Sequence, residues 1–457
     1  MTEPRLENDH QVPLKGRVGY FCGSLCTGFQ IAIPTFLIFY GTQNLAISIG
    51  ALSLMMAIVK VLDAFTDIIA GFIVDKTRHH TGKARPWLLW MALPYAVCFT
   101  LEFCIPTSWG PTAKLLSLAV MYALTVSVFG TMLGVATTAL LPRLTSSIQE
   151  RRALGVVCGG GGVTMVGFLM AIVFPLQARF GFQLVFGAFA VISFILCVLC
   201  YALVREQDIT NYVAGKKSQA VSIKELVNTL IHNRYALMQF VYILIVQTGG
   251  AMIQGCGTYY ATYVMGNADL YSQFMLAGAF GSLAGMFIGL PLVKRLGSKK
   301  LYCLGCLMLV AGFVVIALSR RSSPALIVVM FFFILMGGQV FTNSQNAVLA
   351  AAAVDYGEWK NGVRTEGVTA CLGNVGSKVG GALGTAIMGA YLAAHGFAEG
   401  GVQQSVEAVN AIEFTFIGLT PIIYFILFLI FAITYRLEKQ LPAIHRDLAE
   451  RRAKAMN

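Results

Sequence analysis

Ile58-Val-Lys60-Val-Leu-Asp63-Ala-Phe-Thr66-Asp67-Ile-Ile-Ala-Gly71 places three ionisable side chains in a run that is otherwise almost wholly apolar. The run lies within an apolar stretch from about 47 to 74, and a helix needs about 20 such residues to cross the hydrocarbon of a bilayer. A charge at that depth costs at least about 2.5 kcal/mol, so it is kept where it is paired or used. Asp63 and Asp67 are four apart and share one helix face, with Thr66 beside them and Lys60 one turn toward the outer end. Two carboxylates and a hydroxyl make a hard-oxygen site for a monovalent cation or a proton. Taken alone, the run also allows a Lys60–Asp63 ion pair that merely holds helices together, which leaves Asp67 without a role.

Working outward, the whole chain has the same character. Of its 457 residues 57% are hydrophobic and 12% charged, whereas soluble domains average about 25% charged. Twelve apolar spans are expected, at about 16–41, 47–74, 87–107, 112–141, 153–178, 182–204, 235–263, 270–293, 301–319, 324–353, 367–395 and 410–436. With the N-terminus inside, 27 of the 33 Lys and Arg fall in cytoplasmic tails and loops and four (Lys114, Arg179, Arg320, Arg321) in external loops. The excess of positive charge on the inner side predicts cytoplasmic termini. Lys60 and Lys378 remain, both inside spans. Glu102 and Glu413 sit near external helix ends and read as headgroup contacts.

The expected fold class is an all-α membrane protein of two six-helix bundles: an N-terminal bundle over 1–204, a cytoplasmic linker over 205–234, a C-terminal bundle over 235–436 and a tail over 437–457. A weak internal repeat supports the division, because Gly71-Phe-Ile-Val-Asp75-Lys76-Thr-Arg78 after the second span is echoed by Gly289-Leu-Pro-Leu-Val-Lys294-Arg295-Leu-Gly297 after the eighth. Such duplication predicts a solute site between the bundles near the midplane. Glycines at helical spacing (Gly281, Gly285, Gly289; Gly159 to Gly162; Gly373, Gly376, Gly380, Gly384) predict close helix packing.

Several function classes are excluded at this stage. The net charge of +12 sits in loops between apolar runs, which argues against nucleic-acid binding. The eleven cysteines are scattered without disulfide or zinc spacing, no phosphate-binding GxxxxGK[ST] motif is present, and the six histidines lie in tails, loops or span ends. An enzyme is therefore not expected, nor is any cofactor. A gradient is expected to drive the work.

The run from Asp63 through Gly71, Asp75, Arg78, Gly82, Arg85 and Pro86 to Trp87 closely resembles the signature of the glycoside-pentoside-hexuronide cation symporters of the major facilitator superfamily. A second signature, Val354-Asp355-Tyr356-Gly357-Glu358-Trp359-Lys360 followed by Arg364, Glu366 and Lys378, resembles the same family's loop before the eleventh span. The resemblance covers essentially the whole chain. It implies that Asp63 and Asp67 are cation-binding carboxylates, that Thr66 tunes selectivity, that Thr131 is a cation-coordinating hydroxyl, and that Lys378 stands near both cation and sugar. Lys60, Asp75, Arg78, Arg85 and Arg364 are expected to serve coupling and gating.

The departures concern the solute. Two carboxylates with which the family's melibiose-type carriers hold galactosyl hydroxyls align with Thr27 and Gly134, an expected arginine with Gly159, and an expected aromatic with Asn343. Polar groups left near the inferred cavity are Thr27, Gln30, Gln339, Asn343, Gln345, Asn346, Asn374 and Lys378. That amide-rich lining with one lysine tilts the expected solute toward a uronide or acidic oligosaccharide. The coupling ion is sodium or a proton, with lithium a further choice, and two carboxylates plus two hydroxyls lean toward sodium. Partners are then a sugar-like solute, a monovalent cation and membrane lipid, with the protein working as a monomer in the inner membrane. Two other readings stay open: symport of a lysolipid or another amphipath, and a solute sensor that does not transport.

Overall fold

In a computed structural model, residues 12–144, 148–206, 233–319, 323–361 and 366–437 are described, with residues 440, 441, 443, 444, 446–448 and 450 of the tail. Among them the chain is helical throughout. In order the elements are α1 Leu14–Gln43, α2 Ile49–Lys76, α3 Arg85–Glu102, α4 Pro111–Tyr122, a π-helical segment π1 Ala123–Gly130, α5 Thr131–Leu144 and α6 Ile148–Leu203. There follow α7 Arg234–Tyr259, π2 Tyr260–Val264, α8 Asp269–Leu318, α9 Pro324–Leu335, π3 Met336–Phe341, α10 Thr342–Asn361, α11 Glu366–Ala394, α12 Val406–Glu413, π4 Phe414–Leu419 and α13 Thr420–Thr434.

Two of these elements each contain two helices. Gly181 (φ 79°, ψ 160°) breaks α6 and Gly297 (φ 78°, ψ 166°) breaks α8, in a backbone region that only glycine adopts without strain. The π segments, by contrast, continue the helices around them. Counted this way, the described residues form twelve helical runs, and the protein is an all-α, multi-pass membrane protein. By length and hydropathy alone, seven segments are long and apolar enough to cross a bilayer. The expected linker lies outside the described residues from 207 to 232.

The chain divides into two compact units, one of residues 1–48, 62–219 and 399–401, the other of 49–61, 220–398 and 402–457. In the N-terminal unit α1 lays Gly19, Gly23 and Gly28 against Leu203, Cys200 and Met165 of α6, where no Cβ could stand without a shift. Around them Phe29, Phe36, Phe99, Phe103, Phe174, Phe186 and Phe189 pack edge-to-face or stacked, the geometries that aromatic quadrupoles favour.

In the C-terminal unit α11 sets Gly376, Gly380 and Gly384 against the backbone carbonyls of Phe240, Leu244 and Thr248 on α7, and Thr248 Oγ1 donates to Gly380 O at 3.1 Å. Gly281 and Gly285 of α8 meet Phe332 and Met336 in the same way. These glycines are packing positions.

The repeat extends beyond the loop motif. The fourth helix of each unit is interrupted by a π segment, π1 and π3. In each unit a basic residue from the loop joining the second and third helices caps the C-terminus of the sixth. Arg85 Nε donates to Tyr201 O at 2.7 Å, and Lys299 Nζ donates to Ala432 O and Tyr435 O at 2.7 and 2.8 Å. Cations are favoured at that end of a helix, where carbonyls lack intrahelical partners.

Candidate cation and solute site

Helix α2 shows why its charges are tolerated. Leu54, Ile58, Leu62, Phe65, Ile69 and Phe72 are exposed and recur every three or four residues, forming one apolar stripe suited to lipid. At 3.6 residues per turn, Lys60, Asp63 and Asp67 project from roughly the opposite side. Asp63 is 7% exposed, while Lys60, Thr66 and Asp67 are half-buried.

The closest polar contact of Asp63 lies across the unit. Thr131, the residue at which π1 gives way to α5, donates its hydroxyl to Asp63 Oδ1 at 2.5 Å, a length typical of a hydroxyl bound to a carboxylate. Thr131 Oγ1 also approaches Val126 O at 3.2 Å. A π turn is a wide turn that often marks a functional site, and here it sets the phase that brings Thr131 to Asp63. Thr66 is placed differently from the sequence-based expectation: its hydroxyl donates to the Asp63 backbone carbonyl at 3.0 Å and so is engaged by its own helix.

Of the solute candidates, Thr27 and Gln30 belong to the N-terminal unit. Thr27 Oγ1 donates to Ser24 O at 2.6 Å. Gln30 reaches the π1–α5 junction: its Oε1 lies 3.7 Å from where a Cβ on Gly134 would stand, and its Cδ 3.4 Å from the corresponding point on Gly130. Gln30 Nε2 is buried without a hydrogen-bond partner among the described residues. Its carboxamide therefore faces the position left bare by Gly134, a pairing invisible along the chain because α1 and α5 are about a hundred residues apart.

The remaining candidates belong to the C-terminal unit. Lys378 is half-buried and Asn374 exposed on α11, and Gln345 is buried on α10. Beside Lys378, Ser377 Oγ accepts from Gln247 Nε2 at 2.9 Å. Lys60, whose segment 49–61 groups with this unit, has its Nζ 3.4 Å from where a Cβ on Gly381 would stand. Arg364 lies outside the described residues, as do the side chains of Asp75, Gln339 and Asn343.

Arg78 is exposed, whereas Arg85 is drawn into a knot that sequence reasoning missed. Glu206, just beyond α6, accepts from the backbone N–H groups of Lys83, Ala84 and Arg85 at 3.0, 2.8 and 2.6 Å. Those amides open α3, where helical N–H groups have no intrahelical partner and a negative charge is favoured. Arg143 stands 3.9 Å from the same carboxylate, and the Arg85 guanidinium lies 4.5 Å over the Tyr201 ring. Gly82 (φ +122°) turns the loop directly against Glu206. A second correction concerns Glu102, which is fully buried rather than available to headgroups.

An all-helical, duplicated fold with a carboxylate–hydroxyl pair inside one bundle defines a membrane carrier rather than an enzyme. The chain belongs to the MFS/sugar transport protein family, whose model matches residues 19–439. It is similar to an isoprimeverose transporter of Lactiplantibacillus pentosus, 28% identical over 97% of this chain and 93% of that one. It is also similar to a putative glycoside/cation symporter of Escherichia coli K12, 26% identical over 97% and 96%. Among solved structures the nucleoside transporter NupG has the same fold, with a TM-score of 0.66 at 12% identity, covering 93% of this chain and all of that one.

Proposed function

We propose that the protein is a secondary active symporter that moves a glycoside, uronide or related oligosaccharide together with a monovalent cation by alternating access. The observation that carries this reading is the Thr131–Asp63 contact at 2.5 Å, with Asp67 one turn further along α2. In such a site Asp63, Asp67 and Thr131 supply oxygens to the cation, and sodium suits a set of hard oxygens. A bound cation offsets the repulsion of two neighbouring carboxylates, and by linkage the cation and the solute raise each other's affinity.

The solute is read by hydroxyl-compatible groups, with Gln30 on one side and Lys378 with its amide neighbours on the other. An amide over Gly134, in place of a carboxylate, favours hydroxyls and tolerates a solute carboxylate. The protein works in the inner membrane with both termini cytoplasmic.

Proteoliposome uptake of labelled glycosides and uronides under imposed sodium or proton gradients tests this, beside Asp63→Asn and Asp67→Asn. Accumulation under one gradient, abolished by the substitutions, supports symport through this pair. Undiminished accumulation in both variants overturns the cation site. Solute binding without flux in the unaltered protein would identify a sensor.

A further inference from the structure

Apart from the cation site, the N-terminal unit buries a second polar group of its own. Glu102 ends α3 and is fully buried, and neither of its carboxyl oxygens has a hydrogen-bond partner. The Thr125 side chain of π1 lies against the carboxyl, but its hydroxyl is also buried and without a partner. The same holds for the hydroxyls of Tyr95 on α3 and Tyr122 on α4, both within electrostatic reach of Glu102. Native interiors seldom leave such groups unpaired, and each one needs a reason.

The groups facing Glu102 are Tyr95 and Cys98 from its own helix, Tyr122 from α4 and Thr125 from π1. Beyond them, Tyr122 reaches Asp63 on α2, and Tyr95 reaches Cys26 and Cys197. None of these is a cation at neutral pH. A carboxylate anion in such a place would lack both a counter-charge and donors, while the neutral acid needs neither.

We propose that Glu102 is a proton-binding site of the N-terminal unit, neutral in the conformation described and exchanging its proton when water reaches the carboxyl. The proton passes from a carboxyl oxygen to a water oxygen and returns by the same route. Segment π1 joins this site to the other: Thr125 near its start faces Glu102, and Thr131, the residue that follows it, holds Asp63. Tyr122, immediately before π1, is in reach of both acids. A cation at Asp63 and a proton on Glu102 therefore disfavour each other, and by reciprocity an ionised Glu102 strengthens cation binding. This link, unlike the proton site itself, rests on the cation reading proposed above.

Infrared spectroscopy of the purified full-length protein reads the proton directly. The expected result is a carbonyl-stretch band of a buried neutral acid at neutral pH, present in the unaltered protein and in Asp63→Asn and missing from Glu102→Gln. If Glu102→Gln does not fold, Glu102→Asp replaces it, and the expected result is a displaced band. A band region identical in the unaltered protein and the folded variant overturns the proposal.

Binding of radioactive sodium across pH tests the link. The unaltered protein should gain affinity with rising pH more steeply than Glu102→Gln, which is fixed in the neutral form. Superimposed profiles overturn the link. Should Asp63→Asn bind sodium as the unaltered protein does, the cation reading fails instead, and the infrared result still decides the proton site.

Discussion

Thr131 Oγ1 and Asp63 Oδ1 stand 2.5 Å apart, whereas the Thr66 hydroxyl, only three residues from Asp63, is spent on a backbone carbonyl of its own helix. The two threonines should therefore respond differently to substitution. A hydrogen bond to a charged group contributes about 1.5–3 kcal/mol, so Thr131→Val should weaken sodium binding roughly 10- to 100-fold. Thr66→Ala should change it less than about 3-fold, because no bond to the carboxylate is lost. Sodium titrations of the two variants check the contrast, and equal losses would place Thr66 in the site after all.

Glu206 is expected to matter for stability rather than for binding. It serves three amides at the start of α3 and faces Arg143. Glu206→Ala leaves those donors without a partner, at a cost of about 1–3 kcal/mol. Thermal unfolding in detergent should show a lowered midpoint. Glu206→Gln, which can still accept hydrogen bonds but carries no charge, should fall between the two.

Two glycines separate tight packing from open space. A Cβ at Gly380 meets the Leu244 carbonyl of α7, while a Cβ at Gly134 meets only the Gln30 amide at 3.7 Å, an ordinary contact. Gly380→Ala should therefore cost about 1–3 kcal/mol by forcing the helices apart. Gly134→Ala should fold normally and alter the range of solutes taken up. Unfolding curves and a solute panel, measured on both variants, give the comparison.

Gln30 offers a test confined to the solute. Gln30→Leu keeps the bulk of the side chain and removes its amide. It should weaken glycoside binding up to about 10-fold, the worth of one neutral hydrogen bond. Sodium binding in the absence of solute should stay within about 3-fold. An unchanged solute affinity would remove Gln30 from the solute contacts.

Much of this architecture is legible along the chain, for physical reasons. A span announces itself by length and hydropathy, and a charge within it by its cost, so α2 with Lys60, Asp63 and Asp67 stands out at once. The duplicated loop motif likewise signals two related halves. What stays hidden depends on contacts between distant segments. Glu102 looks like a helix-end carboxylate in a window of sequence, and only the packing of α4 and π1 shows that it is sealed from the surface. Thr66 has the right spacing for a ligand, but a hydroxyl in an apolar helix readily bonds back to its own backbone. Gln30 and Gly134 meet only in three dimensions, and so do Glu206 and the start of α3. The π segments carry no obvious residue signature at all.

That last feature changes how the segment before Thr131 should be compared between proteins. A wide turn accommodates an extra residue within a helix, so the number of residues between Tyr122 and Thr131 sets the angular phase of everything that follows. Deleting one residue from 123–130 would turn α5 by about 100° and point a neighbour of Thr131 at Asp63, even with every side chain of α5 retained. For this carrier the length of a featureless apolar stretch is information in its own right, and an alignment that closes a one-residue gap there would pair the wrong hydroxyl with the acid.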